Sequence, residues 1–129
     1  MRNEIGRASL ALVSDKRIST TDYGSVTVLL CPRCGGEYLH HVSATMFDRP
    51  EDGETAKRSF IDGTSANVDL VPSANSGNPS SRRGGLCISF TCEACRGIDD
   101  NVLEMTISQH KSTTEIGWRY SPKSSEKLI

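Results

Sequence analysis

Two pairs of cysteines carry the clearest chemical signal in this sequence. Each pair has the spacing Cys-x-x-Cys: Cys31 with Cys34, and Cys92 with Cys95. A tight turn between the two members of a pair lets both thiolates reach one ion at about 2.3 Å. A glycine follows each pair within two residues, and glycine supplies the positive φ that closes such a turn. The four cysteines are therefore predicted to hold one metal ion.

The ligand set predicts which metal this is. Four thiolates in a tetrahedron suit Zn²⁺ and leave no open coordination position, so the predicted site is structural rather than catalytic. Zn²⁺ with four thiolates carries a net negative charge. Arg33 and Arg96, one at each turn, are expected to offset it. The cofactor predicted from the residues is one structural Zn²⁺ ion.

Other uses of the cysteines stay open. A thiol–disulfide Cys-x-x-Cys usually opens a helix, whereas the flanks here indicate strands, and an iron–sulfur cluster also accepts four thiolates. The fifth cysteine, Cys87, is interpreted as a bystander or a small hydrophobic residue rather than a ligand. His40 and His41 follow the first pair. Adjacent strand residues point to opposite faces, so at most one of these histidines can face the site.

The cysteine pairs and their flanking strands resemble a zinc ribbon, which has one such turn, or knuckle, on each of two hairpins. A compact ribbon separates its pairs by about 15–20 residues, but fifty-seven residues lie between Cys34 and Cys92. The ribbon must then carry inserted strands. The segments Cys-Pro-x-Cys-Gly-Gly-Glu-Tyr-Leu-His-His, Arg-Arg-Gly-Gly, Ile-x-Phe-x-Cys-Glu-x-Cys and Gln-His-Lys are also similar to small proteins of actinobacterial phages and prophages. That resemblance, over residues 26–120, implies a zinc-bearing phage accessory protein and no particular activity.

Strand patterns dominate the chain after residue 23, and no sustained helical period follows it. The predicted strands are Ser25–Leu30, Tyr38–Phe47, Ala66–Val71, Leu86–Cys92, Leu103–Ile107 and Ile116–Tyr120. In the fourth of these, Leu86, Ile88, Phe90 and Cys92 share one face. These patterns predict a mainly β fold, an antiparallel sheet with a split zinc ribbon that carries a long insertion between its knuckles.

The 129 residues are enough for about one domain. Residues 1–23 are predicted to be a loosely ordered N-terminal arm, residues 24–120 the zinc-ribbon β domain, and residues 121–129 a disordered tail. Only 36% of the residues are hydrophobic, so the core is predicted to be thin and the metal to decide whether the domain folds. Trp118, on one strand face with Ile116 and Tyr120, is predicted to lie in that core.

Composition and missing motifs argue against several function classes. The formal net charge is −1, which gives no bulk electrostatic attraction to nucleic acid or a membrane. The N-terminus does not read as a signal peptide, and no apolar run approaches about 18 residues. A cytoplasmic location is therefore expected (host cytoplasm if phage-encoded), with no membrane partner.

No phosphate loop or His-Glu-x-x-His motif occurs, and the helix that a His-Asn-His nuclease needs after its second cysteine pair is not indicated. An enzyme and a small-molecule substrate are not expected.

Non-catalytic binding is the predicted function, and two classes of partner stay open. A protein partner would engage edge strands and a loop at residues 48–58. A nucleic acid would meet the knuckle tips and the Arg82-Arg83 turn, through Arg33, Arg82, Arg83, Arg96 and Lys111. A separate turn, between the last two strands, is predicted to start at His110. Residues 48–70 hold six acids against three bases. The near-neutral total charge favours the protein partner.

Overall fold

The structure, a computed structural model, describes residues 17–95 and 102–121. Its strands are β1 (Thr20–Tyr23), β2 (Val26–Leu29), β3 (Leu39–Asp48), β4 (Thr55–Asp62), β5 (Ala66–Pro72), β6 (Gly85–Cys92), β7 (Val102–His110) and β8 (Thr113–Ser121), with a one-turn 3-10 helix at Glu93–Cys95. β1 and β2 form a two-stranded sheet, and the other strands form a six-stranded sheet in the order β5-β4-β3-β6-β7-β8. The predicted mainly β, antiparallel fold is confirmed. In the described ranges no helix has the length and apolar character needed to cross a membrane.

Two strands were not among those predicted. β1 lies in the segment assigned to the N-terminal arm, and β4 begins inside the predicted 48–58 loop. The sequence does not predict β4, because Lys57 and Arg58 interrupt any apolar alternation. It forms because it is hydrogen-bonded to β3 on one side and to β5 on the other. Residues 1–16 of the predicted arm and 122–129 of the predicted tail lie outside the described residues.

The chain divides into two compact units. The first comprises Met1–His41, Phe90–Glu104 and Gly117–Ile129, as far as these are described. Its centre is Trp118, which is fully buried together with Leu103, so the predicted core role of Trp118 is confirmed. The Phe90 ring meets the indole edge-on, with ring centroids 5.7 Å apart. Edge-to-face packing of this kind is favourable for aromatic pairs.

The second unit comprises Val42–Ser89 and Met105–Ile116. Phe47 and Ala56 are buried in it, as are Cys87 and Ser89. The strand face that bears Cys87 and Ser89 is therefore the buried one, whereas the predicted face with Leu86, Ile88 and Phe90 is only partly buried. Ile116, predicted to share an apolar face with Trp118, is instead 58% exposed.

Candidate metal centre

The four cysteines of the two pairs converge in the first unit. One ligand atom from each lies within 4.8 Å of every other. The Sγ atoms of Cys31 and Cys95 are 3.8 Å apart, and those of Cys34 and Cys92 are 3.6 Å apart. Cysteine pairs separated by a long segment thus form one cluster, as the spacing predicted.

The cluster has the size of a metal tetrahedron. Four sulfurs at about 2.3 Å from a central Zn²⁺ stand about 3.8 Å from one another, and both measured separations are close to that edge. A disulfide would bring two sulfurs to about 2.05 Å, and none of the five cysteines, all of which are described, forms one. The donor set and its dimensions therefore fit one four-coordinate ion.

The first knuckle is closed by its own backbone. The N–H of Cys31 donates to the carbonyl of Gly36 over 2.9 Å, and the N–H of Gly35 donates to the carbonyl of Cys31 over 2.9 Å. Gly35 has a φ of 76°, in the left-handed region that side chains with a Cβ rarely adopt. The glycine predicted to close the turn has this role.

Backbone N–H groups also point at the sulfurs of this knuckle. Arg33 donates to Cys31 Sγ and Gly36 donates to Cys34 Sγ, each over 3.3 Å. The bond from Gly36 is the main reason that the pKa of Cys34 is lowered to about 7. A Cβ on Gly36 would stand 3.2 Å from Cys34 Sγ. The turn therefore favours a thiolate at Cys34 and keeps side-chain atoms away from it.

The second knuckle is more deeply buried. Cys92 ends β6, Cys95 ends the 3-10 helix, and each is less than 5% exposed. Burial raises the pKa of Cys92 and raises that of Cys95 to about 12. A coordinated dication reverses this effect, because a thiol that binds a metal gives up its proton. The buried thiols thus need a cation if all four are to be thiolates.

Neither histidine near the first knuckle belongs to the cluster. Among the described residues, the group able to hold a metal consists of the four cysteines. The imidazole Nε2 of His40 contacts a carboxylate oxygen of Glu93, and Glu93 donates its backbone N–H to the Tyr38 carbonyl over 3.1 Å. His41 is exposed. His40 therefore links β3 to the second knuckle.

Of the two arginines expected to offset the charge of the site, Arg33 lies in the described part of the chain. The guanidinium carbon of Arg33 lies 5.4 Å from the centre of the Tyr120 ring, within range of a cation–π interaction. Arg96 lies outside the described residues, so its charge-offsetting role stays a prediction.

The basic turn at Arg82 and Arg83, in the second unit, forms ion pairs with acidic residues. Arg82 bonds the Asp52 carboxylate at 2.7 and 2.9 Å and also reaches Glu51 at 2.9 Å. Arg83 bonds the other oxygen of Glu51 at 2.8 Å. The bond from Arg82 is the main cause of the lowered pKa of Asp52. Two arginines therefore meet two carboxylates, and their charges cancel locally.

The sequence did not predict this pairing, because no local pattern links acids and bases about thirty residues apart. Lys111 does lie beside the turn. With His110 and Gln109 it lines a shallow depression that Glu51 and the two arginines complete. Lys111 has a φ of 54° in the two-residue turn between β7 and β8, so the turn predicted at His110 is confirmed.

No protein-family model, curated protein or solved structure matches this chain. Two Cys-x-x-Cys turns from distant parts of a mainly β chain form one four-cysteine site able to bind a metal ion.

Proposed function

We propose that this chain is a zinc-stabilised, non-catalytic binding protein that engages a protein partner. The observation that carries the proposal is the closure of four sulfurs into one cluster of tetrahedral size. Four thiolates fill the coordination sphere of Zn²⁺ and leave no position for water or substrate. The ion would then stabilise the fold rather than take part in a reaction.

Zinc is favoured over the other uses of four cysteines by the size of the cluster. An iron–sulfur centre places its thiolates around two or more iron atoms and holds them further apart than sulfurs around a single ion. The measured 3.6 and 3.8 Å suit one central atom. A reducing compartment, as in the proposed cytoplasm of a phage host, would keep the thiols available to the metal.

The architecture supports a ribbon with an insertion. The first knuckle follows β2, the second follows β6, and the intervening chain forms β3 to β6. An accessory role, in which a small domain binds another component instead of transforming a substrate, is what the phage resemblance of the cysteine segments implies, and we include it in the proposal.

An exposed apolar sheet face supports a protein partner. It consists of Val42 and Met46 on β3, Ile61 on β4, and Val68 and Leu70 on β5. Each of these side chains belongs to a residue that is at least 44% exposed. The register sets Met46 opposite Ser59 and Ser59 opposite Val68, and residues two apart share a face, so the five side chains project from one side of the sheet. We call this set the apolar face. Exposed apolar groups concentrated in this way mark interaction surfaces.

Native mass spectrometry of the purified, reduced chain tests the metal part of the proposal. We expect one zinc ion per chain. When the spray solution is acidified, the ion should be released and the four thiols should regain their protons. Measurement of the same sample by elemental analysis identifies the metal. A folded chain without bound metal, or one that carries several iron atoms with sulfide, would contradict the proposal.

The nucleic-acid alternative makes a different prediction. Since Arg82 and Arg83 are already bonded to Glu51 and Asp52, we expect no shift of duplex or single-stranded DNA at low salt in a mobility-shift assay. We also expect the double variant Arg82→Ala, Arg83→Ala to behave like the parent. Binding that falls steeply with salt and weakens in the double variant, but not in Arg58→Ala, would instead assign the turn to nucleic acid.

A further inference from the structure

Strand β5 is an edge of the six-stranded sheet, and all its residues except Val71 are exposed. An edge strand presents N–H and C=O groups that can pair with another strand. Proteins usually block this with lysines, an interior proline or an inward-facing charge. β5 contains no lysine, its proline is its last residue, and its single charge, Asp69, is bonded to Arg58 at 2.9 Å.

We propose that β5 pairs antiparallel with β5 of a second copy of this chain, about a two-fold axis at Val68. The pairing joins two six-stranded sheets edge to edge. It goes beyond the proposed function, because it names a partner and a surface that do not depend on the metal.

The two-fold symmetry restricts the register. Side chains that stand opposite each other in paired strands lie on the same face of the sheet. Ala66, Val68 and Leu70 share one face, while Asn67 and Asp69 share the other. A residue of one copy can therefore oppose only residues of its own set in the other copy. The axis must then lie midway between one residue and the same residue of the second copy, and not at a point between two successive residues of the strand.

Charge then selects among these axes. An axis at Asp69 gives the longest overlap, but it sets Asp69 opposite Asp69 of the second copy, and like charges directly opposite are destabilising. An axis at Val68 sets Asn67 opposite Asp69 of the second copy, twice by symmetry. The amide can donate to that carboxylate, so the only charge on the strand gains a complementary partner. An axis at Leu70 gives the same five-residue overlap as an axis at Val68, but it sets Asp69 opposite an apolar side chain and brings the terminal proline, which has no N–H, into the ladder. Axes at the remaining positions shorten the overlap.

The same register favours the other side of the sheet. Val68 meets Val68, and Ala66 meets Leu70, so the contacts across the axis are apolar. The row formed by Met46, Ser59 and Val68 continues into the same row of the second copy. Val68 is 66% and Leu70 71% exposed in the single chain, and pairing covers part of both.

Sedimentation velocity of the metal-loaded full chain from about 1 to 200 µM tests the proposal. We expect a concentration-dependent dimer. Val68→Lys places two ammonium groups opposite each other at the axis and should weaken dimerisation by about tenfold or more. The matched control is Met46→Lys, which adds the same charge to the same row and the same face, two strands from the edge. It should leave the dimer unchanged. Circular dichroism and metal content are recorded for each variant.

A second pair of variants tests the register and serves if Val68→Lys does not fold. Asn67→Lys faces Asp69 of the second copy at the proposed axis and should tighten the dimer by about three- to fivefold, whereas Asn67→Asp should weaken it.

A chain that stays monomeric at the highest concentration overturns the proposal. So does a dimer that survives Val68→Lys, one that is lost equally in Met46→Lys, or one that is indifferent to both changes at Asn67. Bound metal in a monomeric chain would overturn the pairing and leave the proposed function intact.

Discussion

Removal of the metal is expected to abolish the cooperative thermal unfolding of this chain. Three of the eight buried core residues in the described ranges, Cys31, Cys92 and Cys95, are thiols of the site, so little apolar core would be left without the ion. Structural zinc in thiolate-rich sites contributes about 10–16 kcal/mol of apparent binding free energy, and a whole domain is typically stable by about 5–15 kcal/mol. Near-ultraviolet circular dichroism and a melting curve, recorded before and after a high-affinity chelator acts under reducing conditions, measure the effect.

The fifth cysteine provides a matched control for this experiment. Cys92→Ser removes a buried ligand and should abolish both zinc binding and the melting transition without any chelator. Cys87→Ala removes an equally buried thiol of the same strand that is outside the cluster. It should keep one zinc ion and lose only about 1 kcal/mol of unfolding free energy. An unchanged spectrum and melting curve in the chelated parent would contradict the structural role of the metal.

Trp118→Ala is expected to be the most damaging substitution outside the metal site. The indole is fully buried and packs against Phe90, and truncation of a buried tryptophan or phenylalanine to alanine costs about 3–5 kcal/mol. The indole N–H has no hydrogen-bond partner among the described residues, so the loss should come from packing. Urea unfolding at a fixed zinc concentration, followed by circular dichroism, gives the difference in unfolding free energy.

Ile116→Ala is the control for that variant. Ile116 is two residues earlier on β8 and was predicted to share the apolar face of Trp118, but it is 58% exposed. Its truncation should change the unfolding free energy by about 0.5 kcal/mol or less. Equal losses in the two variants would mean that β8 buries Ile116 as well, contrary to the structure.

The sequence determined which four cysteines form the candidate metal site, because the requirements of a knuckle are local. A Cys-x-x-Cys spacing places two sulfurs on one turn, a following glycine permits the positive φ at Gly35, and backbone N–H groups then reach the sulfurs. Two such turns in one chain predict a shared ion whatever the length between them. Most strands were also predictable, since alternation and β-branched residues are properties of short segments.

The tertiary structure alone decided what surrounds those local features. β4 is a strand because it lies between β3 and β5, and its own residues do not show the pattern. Arg82 is neutralised by acids that the fold brings from thirty residues away. Val68 alternates like a half-buried residue, yet it is exposed, and so are Met46 and Ile61 on the inner strands of the same apolar face. Periodicity records which side chains share a face, whereas burial and charge pairing depend on what the rest of the chain places against that face.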